Sequence, residues 1–116
     1  MALHIDVVGR GRPLVLLHGW ALHGGVFAPL VDRLSSELEM HLVDLPGHGH
    51  SRDSTLPLTL EACAPELLSR TPPAVWMGWS LGGLFAMHAA SVSAQVRGLV
   101  LVAATPRFVR GDDWPH

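Results

Sequence analysis

Four short apolar runs recur along the chain, each closed by a polar or glycine-bearing turn: Leu14-Val15-Leu16-Leu17, His41-Leu42-Val43, Ala74-Val75-Trp76-Met77 and Leu99-Val100-Leu101-Val102. Apolar residues dominate them without clean alternation, as in strands covered on both faces. The segments between them read as helices. From Val26 to Leu38 the apolar positions Val26, Leu30, Val31, Leu34 and Leu38 form a helical stripe. Leu81 to Ala90 is rich in Leu, Ala and Met, which are good helix formers. A third helix, Leu60 to Leu68, has Thr59 placed to cap it, but Pro65 inside the pattern is expected to kink or restart it. An earlier strand, His4 to Val8, turns through Gly9-Arg10-Gly11 into the next. Strand–helix alternation after that first pair predicts a mostly parallel sheet with helices on both faces.

Composition narrows the picture. A chain of 116 residues is one domain or part of one. With 48% hydrophobic and 16% charged residues it has the makings of a buried core and is not a disordered chain. All eight basic residues are arginine, they are scattered, and the net charge is −2. Neither nucleic acid nor a membrane surface is an expected partner. The apolar runs are far too short for a membrane span, and Met1 to Asp6 has no cationic segment leading into an apolar one. A cytoplasmic protein is the expectation. The single cysteine, Cys63, excludes an internal disulfide and reads as a small core residue.

The chemistry concentrates at Gly78-Trp79-Ser80-Leu81-Gly82-Gly83. Gly-x-Ser-x-Gly is common by chance and counts only between a strand and a helix, which Ala74–Met77 and Leu81–Ala90 supply. There the serine occupies a strained turn, and Gly78 and Gly82 lack side chains so that strand and helix can pack. Ser80 is therefore the candidate nucleophile, beside helix amides able to stabilise developing negative charge. A serine that merely caps a helix would not require glycines on both sides.

The first strong strand ends in His18-Gly19-Trp20. The loop at this position donates one oxyanion-hole N–H and the residue after the nucleophile donates the other, which makes Trp20 and Leu81 the expected donors. Gly19 lets the backbone approach the substrate carbonyl, and the Trp20 ring fits a pocket wall better than ordinary core. His18 is expected to brace this turn by hydrogen bonding rather than to act as a base. In Asp44-Leu45-Pro46-Gly47-His48-Gly49-His50-Ser51, Asp44 is placed to bond the amides of a sharp loop. His48 and His50 invite a metal reading, but without a carboxylate or cysteine partner at ligand spacing they read as solvated loop residues. Trp76 and Met77 read as core, and Trp79 fits either core or a pocket wall.

Leu14 to Trp20, His41 to Gly47 and Gly78 to Gly83 together resemble the pimeloyl-ACP methyl ester carboxylesterases of biotin synthesis, and Asp113-Trp114-Pro115 resembles the stretch where the cap of that family begins. The resemblance covers nearly the whole chain, and tryptophan at both Trp20 and Trp79 is its more specific part. It implies an α/β-hydrolase fold, with residues 1–116 as the N-terminal half of a single domain. The cap and the C-terminal strands would be absent. It also implies a serine esterase acting on a pimeloyl methyl ester borne by acyl-carrier protein, without metal or organic cofactor. Ser80 would be the nucleophile, with Trp20 and Leu81 at the oxyanion and substrate site.

The acid and base of such a triad follow the serine in chain order. His88 lies roughly 12 Å along the predicted helix and cannot reach the Ser80 hydroxyl. Asp112, Asp113 and His116 fall where the cap would start, and Arg107 and Arg110 nearby read as solvated. The expectation is half an enzyme, marginal alone because its last strand leaves an open edge. Other readings stay open: another esterase or lactonase of this fold, C–C bond hydrolysis, acyl transfer, or a non-catalytic module on the same scaffold. Haloalkane dehalogenation is disfavoured, because Ser80 stands where that chemistry uses a carboxylate.

Overall fold

In a computed structural model the structure describes residues 3–20 and 22–103. Five strands form one sheet: β1 (Ile5–Gly9), β2 (Arg12–Leu17), β3 (Leu38–Val43), β4 (Ala74–Trp79) and β5 (Val96–Val102). Their spatial order is β1-β3-β2-β4-β5. β1 runs antiparallel to β3, and every other pairing is parallel. The helices are α1 (Ala28–Leu34), α2 (Leu60–Arg70) and α3 (Leu81–Val92), with 3-10 turns at Gly24–Phe27 and Gly49–Ser51. The α/β sheet expected from strand–helix alternation is present, with one antiparallel edge strand.

Both faces of the sheet are covered, because neighbouring residues of a strand point to opposite sides. Val15, Leu17, Ala74 and Trp76 pack with Cys63 and Leu67 of α2 and with Phe85, Ala86 and Ala89 of α3. Leu14, Leu16 and Met40 pack on the other side with Phe27, and Leu30, Val31 and Leu34 of α1 close over them. Trp79 rests on this second cluster while remaining partly exposed. Burial raises the Cys63 thiol to about 11, so it behaves as a small apolar residue.

Two expectations are corrected. The helical stripe from Val26 to Leu38 divides into a 3-10 turn and the short α1, and Leu38 begins β3. A residue spaced for a helix face fits equally well as the first apolar residue of a strand. Pro65 does not restart α2, which runs through it from the Thr59 cap, where the hydroxyl accepts from the Ala62 amide. The far end of α2 is held by Gln95, whose side-chain amide donates to the carbonyls of Leu68 and Thr71. No helix among the described residues is long and apolar enough to cross a membrane.

At the outer edge Leu99, Val100, Leu101 and Val102 of β5 are exposed, whereas Leu16 in the sheet centre is wholly buried. Leu16→Ala is expected to lower stability by about 2–5 kcal/mol in urea denaturation. Val7→Ala, on the exposed β1, should stay within about 0.5 kcal/mol. Equal losses would contradict this placement of the core.

Candidate active site

β4 delivers the chain into a turn that L-residues rarely make. Ser80 has φ 56° and ψ −114°, and its side chain makes no capping bond to α3. The strain, of order 1–3 kcal/mol, is held by its surroundings. The Ser80 N–H donates to the Val102 carbonyl at the end of β5, and the Ser80 carbonyl accepts from the Gly83 amide. Among the described residues the hydroxyl has no hydrogen-bond partner, so it is available to a ligand rather than spent on the helix.

The flanking glycines are required by space. A Cβ on Gly78 would lie 2.5 Å from the Gly82 carbonyl oxygen and from the Gly83 backbone. One on Gly82 would lie 2.2 Å from the Leu17 carbonyl oxygen and 2.6 Å from that of His18. The start of α3 is thus seated directly on the end of β2. That contact also brings the two candidate donor segments together: a Cβ built on the buried Gly19 would be 3.4 Å from the Ser80 Cβ. Leu81 is the first residue of α3, where helix geometry leaves the amide without an intrahelical acceptor.

The Trp20 side is more open than expected. Its residue is 68% exposed and touches the His48 ring edge-on, with centroids 5.4 Å apart. It is not core, and it follows Gly19, whose backbone is the part of this loop that approaches Ser80.

Beneath these loops lies a polar brace. His18 is wholly buried, its Nδ1–H donates to the Gly19 carbonyl at 2.6 Å, and its Nε2 accepts from the Leu45 amide at 2.9 Å. That pair of partners fixes one neutral tautomer and leaves neither nitrogen for proton transfer. Burial pushes the His18 pKa down, with the positive potential of His48 adding to it against the Gly19 bond. Asp44 links two loops: Oδ1 accepts from the Gly24 amide at 2.6 Å and Oδ2 from the His50 amide at 2.9 Å. Burial works to raise its pKa, but these two amides, together with the nearby rings of His18 and His4, hold it below the usual range.

The loop histidines differ from expectation. His48 is half-buried between His18 and Trp20 and donates from Nδ1 to the Pro46 carbonyl. His50 does have a carboxylate partner, since its Nδ1 lies 3.4 Å from Asp44 Oδ2. His4 joins them, and ligand atoms of His4, Asp44 and His50 all lie within 4.8 Å of one another. Spacing concealed this group, because His4 reaches Asp44 only through the antiparallel pairing of β1 with β3, where Ile5 faces Val43. The Gly24 and Val102 backbone partners carried no side-chain signal either. Asp112, Asp113, His116, Arg107 and Arg110 lie outside the described residues.

Comparison with known proteins adds relatives. The model of the alpha/beta hydrolase family matches residues 14–116. A protein of Xanthomonas oryzae pv. oryzae named pimeloyl-(acyl-carrier protein) methyl ester esterase is 68% identical over 113 residues, covering 97% of this chain and 45% of the relative. One of the same name from Stenotrophomonas maltophilia is 67% identical over 114 residues, covering 98% of this chain and 44% of the relative. An esterase structure from Exiguobacterium antarcticum superposes with a TM-score of 0.83 at 25% identity, covering 98% of this chain and 46% of its own. The chain spans less than half the length of the curated relatives it matches.

Two measurements test the site's construction. Gly82→Ala should cost about 3 kcal/mol or more, because backbone atoms of β2 cannot yield. Gly47→Ala, with φ +79° and nothing within 4 Å of the added carbon, should cost only about 1–2 kcal/mol of backbone strain. The pH dependence follows from the brace. His18 and Asp44 both have folded pKa values below their ordinary 6.5 and 3.8, so the unfolded chain takes up protons first. The His18 contribution is complete above pH 6.5 and fades as pH falls toward its lowered folded value. The Asp44 contribution is complete above 3.8 and is lost through its folded value below that. His18→Gln should flatten the upper part of the stability–pH curve, and an unchanged slope in that variant would argue against the assignment.

Proposed function

Because the chain belongs to the α/β hydrolase family, we propose that it carries the nucleophile of a serine carboxylesterase. Its substrate would be the methyl ester of a pimeloyl chain held on acyl-carrier protein. The observation that carries the reading is the Ser80 elbow, with its strained backbone and unbonded hydroxyl where β4 meets α3. The choice of ester follows the names of relatives 67–68% identical across nearly all of this chain. Residues 1–116 then form the N-terminal part of one hydrolase domain.

In this reading Ser80 Oγ attacks the ester carbonyl carbon as its proton passes to a base. The carbonyl oxygen becomes an oxyanion received by the amides of Leu81 and Trp20. The tetrahedral intermediate collapses with methanol leaving, and the base returns the proton to it. Water then hydrolyses the Ser80 ester to free the carboxylate. His18, Gly19, Gly78 and Gly82 keep the two donor segments in contact. His18 is not the base, since both its nitrogens are engaged with backbone. His88 sits roughly 12 Å along α3 from Ser80. This reading looks for the acid and base later in the chain, in the order that follows the nucleophile in this fold.

The test fuses this chain to the remaining segment of the Xanthomonas oryzae relative and measures methanol release from methyl-pimeloyl acyl-carrier protein. Ser80→Ala is expected to lower kcat by at least about 10³-fold, and a variant that kept its rate would sink the proposal. The 116-residue chain by itself should show no sustained hydrolysis of a p-nitrophenyl ester. Ser80-dependent turnover by that chain would place the base inside it.

A further inference from the structure

Outside the elbow, one group of side chains is arranged for chemistry that the esterase reading does not use. His4 enters β1, Asp44 leaves β3, and His50 lies in the 3-10 turn that follows. Four hydrogen bonds lock their backbones together. The Asp44 N–H donates to the His4 carbonyl at 3.0 Å, and the His4 N–H donates to Ser51 Oγ at 2.8 Å. Ser51 Oγ donates in turn to the Asp44 carbonyl at 2.6 Å, and the His50 N–H donates to Asp44 Oδ2. Ser51 is almost wholly buried, so the clasp is shielded from competing water.

Two imidazoles and a carboxylate are thus presented on a backbone that binding need not organise. The rings of His4 and His50 lie 4.6 Å apart, centroid to centroid. Among the described residues His4 Nε2 is shielded from solvent and has no hydrogen-bond partner of good geometry, although Asp6 Oδ1 lies 3.0 Å away. A nitrogen so placed is costly unless something binds it. An ion bound tetrahedrally at about 2.0–2.1 Å needs roughly 3.4 Å between its ligand atoms. His50 Nδ1 and Asp44 Oδ2 already stand 3.4 Å apart. The whole ligand set fits within 4.8 Å, so rotation of side chains closes the remainder. The His50 side chain is 76% exposed, which leaves an entry path and room for water as a further ligand.

We propose that His4, Asp44 and His50 bind a divalent first-row transition ion of the zinc type, which ties the start of β1 to the loop after β3. Two neutral imidazoles with one carboxylate suit that class and not calcium or magnesium, which take oxygen ligands. The one thiol of the chain does not compete, because Cys63 is buried and held protonated. Asp6 is the group that an ion would displace from His4, and its carboxylate is near enough to complete the ion's surroundings.

The probe is Zn2+ itself, titrated calorimetrically into the chelator-treated 116-residue chain, with its thermal melting followed in parallel. One equivalent should bind, and the melting temperature should rise with added zinc. His50→Ala and His4→Gln should each weaken the binding by at least about 10-fold and remove the rise in melting temperature. Neither change threatens the fold, since the His50 side chain is exposed and His4 makes its clasp through backbone atoms. His88→Ala, on α3, should bind as the unaltered chain does. Absence of a binding isotherm in the unaltered chain overturns the proposal. So does one-equivalent binding that persists in both His50→Ala and His4→Gln.

Discussion

The start of α3 passes so close to the end of β2 that no side-chain atom fits between Gly82 and the carbonyls of Leu17 and His18. Much of the molecule is arranged around that approach. It requires β2 and β4 to be neighbours in parallel register, with Leu17 opposite Gly78. It also requires the chain to reverse sharply at Ser80, in a conformation the residue would not adopt unaided. The energy to hold the turn comes from the apolar clusters that cover β4 on both faces of the sheet and seat α3 on one of them. Among the described residues the hydroxyl stays unbonded, while the backbone beneath it is fixed by its own amide and carbonyl.

The polar brace complements this steric constraint. Loops at the ends of β2 and β3 bury amides and carbonyls that need partners. His18 and Asp44 supply them from the inside, one as a neutral ring and the other as a carboxylate. Protonating either one breaks a donor–acceptor match that water cannot repair at that depth. The loops around Ser80 owe their rigidity to these two residues, although neither is placed to take part in proton transfer.

Local rules made Ser80, Gly78 and Gly82 legible, because the elbow is written within six consecutive residues and its strand and helix adjoin it. The apolar runs also identified β2 to β5, since central strands of a parallel sheet are apolar on both faces. Periodicity failed at Leu38, where one apolar residue fits the end of a helix stripe or the start of a strand equally well. It failed at Pro65 too, because a helix capped at Thr59 and packed through Cys63 and Leu67 outweighs one lost backbone bond. Trp20 was assigned to the site by its motif, while nothing in the sequence signalled its exposure. The grouping of His4 with Asp44 and His50 was not legible, because it depends on β1 pairing with β3 rather than β2.

The Val102 carbonyl that receives the Ser80 amide belongs to a strand more than twenty residues later in the chain. Leu17 and His18, on which Gly82 rests, come some sixty residues earlier. A motif that reads as a single short word is therefore assembled from three distant stretches of chain. Its geometry requires β2, β4 and β5 to be aligned, through contacts far apart in sequence. A peptide spanning Ala74 to Val92 would carry all the letters of the motif and none of its strain.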